Sequence, residues 1–129
     1  LNATIDNLMQ RHNLTPSQVA LVGFSQGSMM SLYTAPRRAE PLAGVVGISG
    51  ALLAGERLST DIKSRPPICL IHGEEDMVVP FGAMAMAQDA LKQNHVPVEA
   101  HARPHLGHGI DEESIEIMSD FLRQQFGIK

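Results

Sequence analysis

Apolar residues along this chain alternate between two patterns. Leu1, Ile5, Leu8 and Met9 recur at helical spacing, which predicts an amphipathic helix over 1–12. "LTPSQ" (14–18) reads as a turn. "VALVGF" (19–24) is a short continuous apolar run, as expected of a strand buried on both faces. A helix follows from Gln26 to about Ala35 and ends at Pro36. "GVVGIS" (44–49) and "PICLIHG" (67–73) are further buried strands, separated by a loop with a short helix. Residues 81–94 place Met84, Ala87 and Leu91 on one stripe of a helix. "VPVEAHA" (96–102) is a fourth strand with a weaker pattern. Asp111 is positioned to cap a last helix carrying Ile115, Met118 and Leu122 on its inner face, and Gly127 to stop it.

Strands that alternate with helices predict an α/β fold. Its mostly parallel sheet of four predicted strands is flanked by helices, with right-handed crossovers. In such sheets the functional loops lie at the carboxyl ends of the strands. The positions of interest therefore follow residues 24, 49, 72 and 102.

Length and composition narrow the class. The 129 residues suit a single domain, and 43% hydrophobic with 19% charged residues is ordinary globular composition. The formal charge is −4 and the only basic cluster is Arg37–Arg38, so a nucleic-acid surface is not expected. No apolar run approaches membrane-spanning length. Cys69 is the single cysteine, set in an apolar run where a buried, inert thiol is expected. One unpaired cysteine fits a reducing, cytoplasmic setting.

Candidate chemistry sits at the strand ends. Gly23-Phe24-Ser25-Gln26-Gly27 is a G-x-S-x-G pattern between a predicted strand and a predicted helix. In that setting a nucleophilic serine projects above the sheet, with glycines relieving the crowding on both sides. The helix beginning at Gln26 aims free N–H groups at the same point, so the Gln26 amide is a candidate oxyanion donor. The alternative is a glycine-rich turn with a solvated serine. His72-Gly73-Glu74-Glu75-Asp76 follows the third strand, and Asp76 is the best candidate to orient a histidine base, with Glu74 and Glu75 facing solvent. "HARPHLGHGID" follows the fourth strand, and His108 between Gly107 and Gly109 is the candidate base. The order Ser25, Asp76, His108 is the chain order of an α/β-hydrolase triad. A zinc site on His101, His105 and His108 is the rival reading. Pro104 and the glycines argue against the helix it needs, and no cysteine is expected nearby to add a soft ligand. His101 is expected in a strand, and His12, His95 and His105 on the surface.

At this point "GFSQGS", "HGEEDMVVP" and "GHGI" resemble the serine motif, acid loop and histidine loop of the phospholipase/carboxylesterase family. That family includes acyl-protein thioesterases and small bacterial carboxylesterases. The segment 29–53 also resembles the bacterial carboxylesterase branch, and together the likeness covers nearly the whole chain. It implies Ser25 as nucleophile, Asp76 as acid and His108 as base. It implies hydrolysis of acyl esters, lysophospholipids or acyl thioesters with neither metal nor cofactor. Met29, Met77, Val78 and Val79 are candidates for the acyl site. A dienelactone-hydrolase-like enzyme is disfavoured because it calls for Cys at position 25.

The family places strands and an H-G-x-G-type oxyanion loop before the helix that opens this sequence. The expectation is therefore the C-terminal part of an α/β-hydrolase fold, 1–129 as one partial domain with half an oxyanion hole. The strand at 19–24 then has an open edge, which invites a second copy or a further segment. The competing reading is a catalytically weak or silent hydrolase fragment acting as a binding module.

Overall fold

A computed structural model describes residues 1–128. Helix α1 (Asn2–His12) leads through a 3₁₀ turn at Pro16–Gln18 into β1 (Ala20–Phe24). Then come α2 (Gln26–Thr34), β2 (Gly44–Ile48), α3 (Leu58–Asp61) and β3 (Ile68–Gly73). The chain ends with α4 (Gly82–Gln93), β4 (Val98–Arg103) and α5 (Glu112–Phe126). The strands form one parallel sheet in the order β1-β2-β3-β4. All four therefore point their carboxyl ends, and the loops that follow, to one side.

Apolar packing lies on both faces of the sheet. On one face Ile5 of α1, Leu32 of α2 and Met84, Ala87 and Leu91 of α4 pack with Val45, Ile68 and Leu70. The stripe predicted for α4 is the stripe it buries. On the other face Val46, Ile48, Cys69 and Ile71 meet Phe121 of α5. β2 and β3 are buried at every position, as their continuous apolar runs predict.

β1 is the open edge strand expected of this chain, so its apolar run is not buried on both faces: Val22 and Phe24 are 52% and 40% exposed. The cause is that α5 packs on β2 and β3 and leaves that face of β1 uncovered. Two expectations need correction besides. The fourth strand begins at Val98, two residues later than its pattern suggests, because Val96 is buried in the core cluster ahead of the strand. In α5, Ile115 is half exposed, and the inner face carries Phe121 flanked by Ile117, Met118 and Leu122. The caps of α5 form as expected: the Asp111 side chain accepts from the Ser114 N–H, and Gly127 takes the left-handed conformation with φ 68°.

Candidate active site

The loop between β1 and α2 is built around Ser25. Its backbone sits at φ 56°, ψ −115°, a sparsely populated region for a residue with a side chain. Two backbone bonds hold it there: the Ser25 N–H donates to the Ile48 carbonyl at 2.8 Å, and its carbonyl accepts from the Met29 N–H at 3.1 Å. The turn is so tight that a Cβ on Gly23 would lie 2.3 Å from the Gly27 carbonyl oxygen. Gly27 itself has nothing within 4 Å of the corresponding position. The expectation that glycine is required on both sides of the serine therefore holds for Gly23 and not for Gly27. The Ser25 hydroxyl makes no capping bond to α2. Gln26 is the first residue of α2, so its N–H has no acceptor within the helix and stays available beside the hydroxyl.

Ser25 Oγ lies 3.0 Å from His108 Nε2, and His108 Nδ1 lies 2.8 Å from Asp76 Oδ2. The other carboxylate oxygen of Asp76 accepts two backbone bonds, from the Val78 and Val79 N–H groups at 2.8 Å each. An ionised carboxylate only accepts, so it fixes the proton of His108 on Nδ1 and leaves Nε2 free to accept from the serine. The Asp76 side chain is fully buried, and burial alone would raise its pKa. The hydrogen bond from His108, those from Val79 and Val78, and the attraction of the imidazole outweigh burial and hold it below the ordinary 3.8. His108 is 18% exposed, and its ring lies 4.9 Å from that of Phe24. Neither flanking glycine is needed for space: Gly107 has only the Glu75 carbonyl at 3.8 Å and Gly109 nothing within 4 Å.

His72 is a further residue of the site that the sequence pattern does not assign a role. This buried side chain is the penultimate residue of β3, and its Nε2 lies 2.9 Å from the Val79 carbonyl and 3.4 Å from Asp76 Oδ2. It thus ties the loop that carries the carboxylate back to the strand. Only its place at the polar end of an apolar run singled it out. Phe24, whose ring packs at a 42° tilt against that of His108, likewise carries no signal of this contact in the sequence.

The remaining candidates are dispersed. Met77 and Val78 are 93% and 68% exposed on the loop after Asp76, while Val79 is buried and Met29 half-buried. An apolar cleft of about 320 Å³ opens between Leu52–Glu56 and the Ala83–Ala90 face of α4, and none of these four residues lines it. Glu74 and Glu75 face solvent, as do His12, His95 and His105, and His101 lies in β4. His101, His105 and His108 do not gather. Among the described residues the group close enough for a shared cation is Cys69, Glu99 and His101. The expectation that no cysteine is near these histidines is therefore wrong for His101: Cys69 is adjacent to it across the sheet.

Comparison with known proteins follows the same lines. The sequence model of the Phospholipase/Carboxylesterase family matches residues 1–126. Acyl-protein thioesterase 1 of Gibberella zeae is 32% identical over 127 residues, 92% of this chain and 54% of that protein. Esterase YpfH of Escherichia coli is 31% identical over 122 residues, 93% of this chain and 50% of its own length. Among solved structures, esterase PE8 superposes with a TM-score of 0.92 at 38% identity, covering 95% of this chain and 57% of that one. Zea mays acyl-protein thioesterase 2 follows at TM-score 0.80 and 28% identity, covering 97% and 63%. The chain spans about half the length of the curated relatives it matches.

Proposed function

The chain belongs to the phospholipase/carboxylesterase family, and from that premise we propose that it carries the triad of a serine hydrolase acting on acyl esters or acyl thioesters. One observation carries the reading: the continuous hydrogen-bonded path from Ser25 Oγ through the His108 ring to Asp76. His108 Nε2 takes the hydroxyl proton as Ser25 Oγ attacks the acyl carbonyl. The Asp76 carboxylate stabilises the imidazolium that results. The Gln26 N–H, at the start of α2, donates to the oxyanion. His108 then protonates the leaving alcohol or thiol, and an acyl group remains on Ser25. Water enters by the same route in reverse, with His108 again as base, and releases the acid.

Within these residues Gln26 supplies one oxyanion donor. A second one is worth about 10²–10³ in turnover. The reading extends to the architecture: 1–129 is a partial hydrolase domain, and the open edge of β1 takes a further strand from the same polypeptide or a second copy. The catalytically silent binding module is the second reading. It is favoured by two clefts, one beside Tyr33, Arg37 and Asp61 and one beside Leu52, Ala83 and Met86, neither of which is lined by Ser25, Asp76 or His108. Turnover of short and long acyl esters and thioesters separates the two. The hydrolase reading expects slow hydrolysis that falls to background in Ser25→Ala and by about 10³-fold or more in His108→Ala. Equal rates in all three proteins would leave the binding module.

A further inference from the structure

Away from the triad, β3 and β4 place three metal-ligating side chains on one face of the sheet. Cys69 and Glu99 are direct partners in the parallel register, and His101 lies two residues further along β4, so all three project to the same side. One ligand atom from each (the thiol sulfur, a carboxylate oxygen and an imidazole nitrogen) lies within 4.8 Å of the other two. The carboxylate and imidazole already touch, with His101 Nε2 at 2.5 Å from Glu99 Oε2. A tetrahedral ion with bonds of about 2.0–2.3 Å needs its ligand atoms about 3.3–3.8 Å apart, which falls inside this spread. Small rotations of Glu99 and His101, on an edge strand and 44% and 34% exposed, suffice to open the contact. Cys69 is an independent pointer. It is wholly buried, and no hydrogen bond among the described residues engages its sulfur, which is aimed at the exposed pair.

We propose that Cys69, Glu99 and His101 form a binding site for a borderline-soft divalent cation of the zinc type. Thiolate, imidazole and carboxylate together select such ions over magnesium or calcium, which prefer oxygen alone. Three protein ligands leave the fourth position to water from the open side of β4. Binding exchanges the Cys69 S–H bond for a sulfur–metal bond and releases that proton to solvent. Affinity should therefore rise with pH.

Cobalt(II) and zinc(II) titrations of the intact chain test the site without any assay of hydrolysis. The expected result is one tight equivalent and a thiolate-to-cobalt charge-transfer band, displaced by zinc. The band should vanish in Cys69→Ser. His101→Ala and Glu99→Gln change half-exposed side chains that the fold does not need, and each should weaken binding by more than about a hundredfold, beyond what the loss of an outer-shell partner costs. Binding should be unchanged in His108→Ala. No charge-transfer band, equal binding in His101→Ala and wild type, or loss of the ion with His108 would overturn the proposal.

Discussion

At the scale of single residues, the candidate site depends on where two protons are held. The proton on His108 Nδ1 faces Asp76, and that geometry leaves Nε2 for Ser25. Asp76→Asn replaces an acceptor-only group with one that can donate, which stabilises the wrong tautomer. Turnover should fall by about 10³–10⁴-fold with the fold intact, checked by steady-state kinetics beside circular dichroism. Asp76 also links stability to pH. Its pKa in the folded chain lies below the ordinary value, so its contribution is complete above that value and is lost as pH falls through the folded one. Asp111, lowered first by the Ser114 hydroxyl, behaves the same way. Urea denaturation between neutral pH and about pH 3 should show wild type losing more stability than Asp76→Asn. Ser25, Asp76 and His108 were legible because each follows its own apolar run in a short, distinctive phrase. His72 was not, because a histidine at the end of a buried strand looks the same in sequence whether it packs or orients a loop.

At the scale of elements, the turn from β1 to α2 separates two glycines that sequence alone treats alike. Gly23 lies under the Gly27 carbonyl, whereas Gly27 faces open space within α2. Gly23→Ala should therefore cost more than about 2 kcal/mol through overpacking against backbone. Gly27→Ala should be neutral or stabilise by up to about 1 kcal/mol, as alanine does in a helix. Denaturant melts of the two variants check the contrast. The strands and most helices were legible from periodicity. Two details were not, since both depend on packing partners that a local pattern does not contain: the late start of β4 and the dominance of Phe121 over Ile115 in α5.

At the scale of the whole molecule, a parallel sheet gathers three distant loops at one end, and β1 remains at the rim. Its outer N–H and C=O groups and the exposed Val22 and Phe24 form an edge open to pairing. Sedimentation of the isolated chain should show association that grows with concentration and weakens in Val22→Lys. A monomer at all concentrations would contradict an open edge. We propose that Ser25 is an activated nucleophile. Its most direct test is reaction with a fluorophosphonate probe, read by intact mass and by mapping of the modified peptide. One adduct on Ser25 is expected, absent in Ser25→Ala and greatly slowed in His108→Ala. A chain that stays unlabelled, or labels equally without Ser25, would contradict it.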